Sequence, residues 1–153
     1  MTGVDRLLAW FDDGTLIRPS ADELNFVDLV VGLCRLAGAG GLGETPGSGE
    51  LARRIGAADH YLLVLVDGMG ADLVDAMPPD AFMRRHLAGR LRSVFPSTTA
   101  TALTTLHTAL WPADHGVGGW WTYLPARDLM CVTLPFRQRH TETPLARLGV
   151  SPE

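Results

Sequence analysis

The stretch Tyr61-Leu62-Leu63-Val64-Leu65-Val66-Asp67-Gly68 decides how this chain is read: an uncharged apolar run closed by a carboxylate and a glycine. A strand that is apolar at every position, rather than at alternate ones, belongs in the middle of a parallel sheet covered on both faces. Leu91 to Phe95 reads as a second strand and Leu129 to Leu134 as another. Between them, Ala71 to Met77, Ala81 to Leu87 and Ser97 to Leu110 read as helices, the first stopped by Pro78-Pro79. Strands alternating with helices predict an α/β fold with a mostly parallel sheet flanked by helices.

Toward the N-terminus, Ala21 to Ala37 carries apolar residues at Leu24, Val27, Leu29, Val30, Leu33, Cys34 and Leu36. This predicts a helix with Ser20 as N-cap and Gly38 as its stop. Leu7 to Phe11 and Gly14 to Arg18 read as two short strands around an Asp-Asp-Gly turn. Gly38 to Gly49 is a flexible Gly-rich loop, and Glu50 to Ile55 a short helix. Pro112 to Gly119 is a turn region. Arg137 to Glu153 is polar and weakly patterned and does not look like a domain closing itself. Residues 1–153 are therefore expected to form a single partial α/β domain, the N-terminal part of a longer catalytic domain.

The bulk numbers narrow the function. Asp and Glu (17) outnumber Lys and Arg (13) for a net charge of −4, which argues against a nucleic-acid partner. Hydrophobic residues reach 46%, enough for a sizeable core. Cys34 and Cys131 lie apart in apolar runs, so free thiols and a reducing, cytoplasmic setting are expected. The apolar stretch near the N-terminus is too short for a signal peptide, and no run approaches the ~20 residues of a membrane span.

Two motif matches are set aside. Gly38-Ala-Gly-Gly-Leu-Gly43 fits GxGxxG, but the dinucleotide fingerprint must follow a strand and open a helix, and here it follows a helix. Asp12-Asp13-Gly14-Thr15-Leu16 resembles the DxDGT loop of haloacid-dehalogenase phosphatases. Their nucleophile would fall on Phe11, so an Asp-Gly turn is the better reading.

Two segments carry chemistry. In Val64-Leu-Val-Asp67-Gly68-Met-Gly70, a carboxylate sits just past a buried strand, at the rim where α/β sheets bind ligands. Aspartate is a hard oxygen ligand suited to a divalent ion. The plainer alternative is a strand-ending turn in which Asp67 caps the helix at Ala71. In Val94-Phe-Pro-Ser97-Thr98-Thr99, a strand leads through hydroxyl residues into a helix, whose free amides and dipole favour an anion. A threonine hydroxyl there is placed to attack phosphorus once a metal lowers its pKa. The plainer alternative is an N-cap formed by Ser97 or Thr98.

Taken in order, these segments resemble the N-terminal half of the alkaline phosphatase superfamily, nearest its type I phosphodiesterase and nucleotide pyrophosphatase branch. The resemblance spans about Tyr61 to Gly119. Thr108-Ala109 stands where that family ends the nucleophile helix with Thr-Gly, and Pro112-Ala-Asp-His115-Gly116 matches its Pro-x-x-His-Gly turn. The resemblance implies that Asp67 is a metal ligand. It makes Thr99 both metal ligand and nucleophile, with Thr98 the runner-up. It also implies two divalent ions, zinc by family habit, and a small phosphate ester or nucleotide as substrate. His115 is implied to be a structural turn residue rather than a ligand, and His107 a packed or surface residue. Family diesterases often hold a phosphate oxygen with an Asn that falls here on Ala102, a departure. Trp120, Trp121 and Tyr123 are read either as pocket lining or as packing residues.

Two cations need around six to eight protein ligands, mostly Asp and His. Beyond Gly119 the candidates are Asp128, His140 and Glu142, without the family's spacing. The isolated chain is thus expected to be inactive, with a C-terminal half supplied elsewhere. The alternative is a non-catalytic or degenerate α/β module acting with a partner chain.

Overall fold

The computed structural model of the protein describes residues 2–20 and 22–151. The first element is a helix, α1 (Gly3–Asp12), not the expected pair of strands. Two features decide this. Val4, Leu7, Leu8 and Phe11 recur at helical spacing, and Thr2 and Asp5 form a capping box in which each side chain accepts the other's N–H. The Asp-Gly turn survives as the helix exit, with Gly14 at φ +80° and the Asp13 carboxylate accepting the Thr15 N–H at 2.8 Å.

Helix α2 (Phe26–Leu36) is capped by Asn25, not Ser20; the expected start at Ala21 lies outside the described residues. Asn25 Oδ1 accepts the Asp28 N–H at 3.0 Å and Asp28 Oδ2 accepts the Asn25 N–H at 3.1 Å, with both residues about 1% exposed. The other Asp28 oxygen accepts the Gly47 N–H at 3.2 Å, anchoring the loop that enters α3 (Ser48–Ile55). The loop from Gly38 therefore ends before Ser48, which is buried and already helical.

Residues 24–26 also meet the chain near Arg92 in a parallel bridge. Phe26 N–H donates to the Arg92 carbonyl at 2.9 Å, and Arg92 N–H to the Leu24 carbonyl at 3.0 Å. Val27 and Val31 of α2 pack on Val94, with Ala102, Ala109 and Trp111 against them. That core fixes α6 (Thr99–Thr108), the helix that opens the candidate site.

The mostly parallel sheet is not what the described residues form. Their one sheet is antiparallel, in the order β1 (Trp121–Leu124), β2 (Leu129–Val132), β3 (Arg137–Gln138). Tyr61 to Val66 has no ladder partner, with Leu62 90% and Val64 71% exposed. Leu91 to Phe95 contributes only the bridge at Arg92. Residues 24–26 flank 91–95 through that bridge, and residues 61–66 pair with neither. The fold is mixed α/β all the same. α4 (Ala71–Asp75), α5 (Phe82–Arg85) and α7 (Pro112–His115) complete the helices. The polar C-terminal stretch is better ordered than its pattern implies: Leu145 is 0% exposed. Cys34 and Cys131 are free thiols, and no described helix is long and apolar enough to cross a membrane.

The α2–α3 contact gives a direct test. A Cβ on Gly32 would lie 2.9 Å from the Ser48 carbonyl oxygen, whereas one on Gly3 would meet nothing within 4 Å. Gly32→Ala is expected to lower stability by about 1–3 kcal/mol in urea unfolding, since backbone must move to admit the methyl. Gly3→Ala should leave stability unchanged or raise it by up to about 1 kcal/mol.

Candidate active site

Helix α6 begins just after the cis Phe95–Pro96 bond. Thr98 is its N-cap, with extended φ/ψ; its Oγ1 accepts the Thr101 N–H at 3.5 Å and lies 3.0 Å from Thr101 Oγ1, a fully buried side chain. Thr98 is thereby turned back onto the helix. Thr99, the first helical residue, points elsewhere: its hydroxyl donates to Asp67 Oδ2 at 3.0 Å. Of the two hydroxyls left open by the sequence, Thr98 caps and Thr99 meets the carboxylate.

Asp67 reaches Thr99 because the chain turns sharply at Gly68, whose φ of +75° lies in the left-handed region that favours glycine. Asp67 does not cap α4; Gly70 holds that position without a side-chain bond. The pair meets as expected, but at the end of an unpaired run and not at the edge of a parallel sheet. It opens onto a cleft of ≈ 480 Å³ lined by Asp67, Thr98 and Thr99 together with Phe26, Leu65 and Leu103. Ala102 also lines the cleft and offers no hydrogen bond where an Asn would. Thr98 takes the Thr101 N–H, which leaves the Thr99 and Ala100 amides of the first turn free of helical partners beside Thr99, and free amides there favour an anion.

The far end of α6 is locked by His115. Its Nδ1 accepts the Val117 N–H at 3.1 Å, so the proton sits on Nε2, which donates to Thr105 Oγ1 at 3.1 Å. Both ring nitrogens are thus used inside the protein. Ala109 closes α6 with φ 56°, left-handed backbone of the kind a glycine would adopt more readily. His107 is exposed, its Nδ1 2.7 Å from the Leu103 carbonyl. The threonine stripe at Thr98, Thr101 and Thr105, spaced along one helix face, was the available signal for this buried hydroxyl network.

The family model for type I phosphodiesterase / nucleotide pyrophosphatase matches residues 61–143. The chain belongs to that family. No curated protein and no solved structure matches it. The type I phosphodiesterase segment thus runs from the apolar stretch through both chemical segments and the antiparallel sheet. Asp67 and Thr99 supply two hard oxygen donors close together, which fits a divalent cation in kind. They fall short in number, because among the described residues no three His, Cys, Asp or Glu side chains converge. Asp128 is engaged elsewhere, accepting the Tyr123 hydroxyl at 2.7 Å.

The imidazole makes stability depend on pH. Burial holds the His115 pKa below its ordinary 6.5, opposed by its own carbonyl and by Asp114. The unfolded chain therefore binds the proton more readily than the folded one. The stabilisation is complete above about 6.5 and is lost as pH falls from there through the lowered folded value. Thermal melts between about pH 7.5 and about 5 should show this loss, and His115→Gln should flatten it.

Proposed function

We propose that this chain is the N-terminal, nucleophile-bearing part of a metal-dependent phosphodiesterase or nucleotide pyrophosphatase that transfers phosphoryl groups through a phospho-threonine. The observation that supports this most is the 3.0 Å hydrogen bond from Thr99 to Asp67 at the opening of a helix whose capping duty Thr98 has taken. In this reading Asp67 Oδ2 holds the Thr99 hydroxyl proton and directs the oxygen lone pairs into the cleft. Thr99 Oγ1 forms the bond to phosphorus as its proton passes to Asp67 Oδ2 and the ester or pyrophosphate oxygen leaves on the opposite side. Water then releases the phosphate from Thr99. The Thr99 and Ala100 amides that open α6 face the non-bridging oxygens.

Asp67 and Thr99 are the residues that would hold divalent ions, zinc by family habit, which supply positive charge and acidify the hydroxyl when bound. The remaining ligands come from a C-terminal portion, since two donors hold a divalent ion only weakly. The substrate is a small phosphate ester or nucleotide, and the free thiols suit a cytoplasmic setting. A second reading, a non-catalytic module acting with a partner chain, is favoured by the missing third acidic or histidine donor among the described residues.

The 153-residue chain with added zinc or manganese should show no Thr99-dependent hydrolysis of bis(4-nitrophenyl) phosphate. Supplying the C-terminal portion, fused or in trans, should restore turnover. Thr99→Ala should then abolish it, and Asp67→Ala should also weaken metal binding in calorimetry. Turnover that Thr99→Ala leaves intact would remove Thr99 from the chemistry.

A further inference from the structure

The cleft beside Asp67 is bordered by two edges of unpaired backbone. In an extended chain the N–H and C=O of one residue point to one side and those of the next residue to the other. Arg92 gives both of its groups to residues 24–26: its N–H donates to the Leu24 carbonyl and its carbonyl accepts the Phe26 N–H. Leu91 and Ser93 therefore turn theirs to the opposite side, and both residues line the cleft. Leu65 and Val66 line it as well. Among the described residues, Leu91, Ser93 and Leu62 to Leu65 make no backbone–backbone hydrogen bond.

Unpaired backbone edges are templates for a further strand, and the chemistry around these two says which strand fits. A small ligand cannot satisfy a row of alternating donors and acceptors on both sides, whereas an extended polypeptide can. Asp67 follows residues 61–66, Thr99 follows residues 91–95, and the two side chains meet at 3.0 Å, so both runs lead into the site. Adjacent residues of a strand face opposite ways, and Leu62 (90% exposed) and Leu63 (46%) leave both faces of the first run uncovered. The occupant is therefore apolar. At the mouth of the cleft, Asp67 and Thr99 have no third acidic or histidine donor among the described residues.

We propose that the cleft is a slot for an extended apolar segment of the C-terminal portion, inserted between residues 61–66 and 91–93 and parallel to both. The proposal rests on the reading that such a portion supplies the missing ligands, and it names where that portion docks. The inserted backbone lies ~4.8 Å from each edge and pairs with both. Parallel neighbours are joined only by crossovers of about a dozen residues or more, so the segment belongs to a separate stretch of chain. Its carboxyl end arrives beside Asp67, where a carboxylate or imidazole adds the third donor. A second copy offering its own 61–66 run about a two-fold axis would arrive antiparallel and pair one edge, leaving Leu91 and Ser93 open.

The test uses the full chain and an acetylated peptide of three Thr-Val repeats ending in Asp-His, without metal or substrate. Amide hydrogen exchange is followed by NMR. The peptide should slow exchange at least about tenfold on both walls, at amides within 61–66 and at Leu91 and Ser93. Two further peptides carry N-methyl groups, one on its odd and one on its even residues, so that each has one edge blocked. Both should bind at least about tenfold more weakly, because a middle strand needs both edges. Full binding by either N-methylated peptide, protection of one wall alone, or no protection at millimolar peptide would overturn the proposal. So would protection of 61–66 that grows with protein concentration in the absence of peptide, which makes a second copy the occupant. Turnover restored by the C-terminal portion while the peptide fails to bind removes the slot and leaves the chemistry standing. Peptide binding on both walls while Thr99→Ala spares that turnover does the reverse.

Discussion

A buried carboxylate, Asp28, holds together the parts of the chain that position everything else. One oxygen closes the capping box with Asn25 and the other takes the Gly47 N–H. A buried polar side chain is costly unless hydrogen bonds replace its water, and backbone amides do that here. The result is a rigid corner in which α2, the entry to α3 and the bridge to Arg92 share one set of bonds. Val27 and Val31 then present the apolar stripe on which Val94 and α6 settle. The start of α6 is thus placed by a contact far from it in sequence.

At that start, neighbouring threonines divide two tasks. The N-cap must satisfy an orphan amide, and Thr98 does so while leaning on the buried Thr101 hydroxyl. Because capping is done, the next hydroxyl is available, and rotation into the first helical turn aims Thr99 at Asp67. The His115–Thr105 bond secures the other end of the same helix. α6 is held at both ends by polar contacts while its middle rests on a small aliphatic core, which suits a helix whose first turn must keep a fixed direction.

The parts legible in the sequence were those with short-range causes. The Asp67-Gly68 turn, the hydroxyl cluster opening α6 and the Pro-x-x-His-Gly turn each depend on a few adjacent residues, and the structure puts Asp67 and Thr99 in contact. Parts with long-range causes were misread. The apolar run 61–66 has the composition of a central strand, but a strand exists only by pairing, and no sequence pattern reports which neighbour is present. The N-terminal helix is the exception, a local feature in which the Thr2–Asp5 capping box and the spacing of Val4, Leu7, Leu8 and Phe11 outweigh the hairpin preference of Asp-Asp-Gly. Strand β1 alternates Trp121, Thr122 and Tyr123 as a strand should, but it places the aromatic side chains on the exposed face, the reverse of the usual apolar-in order.

The central claim is that Thr99, and not its neighbour, receives the phosphoryl group. Mapping the modified residue tests it most directly. Protein carrying the complete ligand set would be quenched in acid during turnover, digested, and sequenced by tandem mass spectrometry across Phe95 to Leu110. The account predicts phosphate on Thr99. Phosphate on Thr98 or Ser97, or turnover with no phosphorylated residue in this segment, would contradict it.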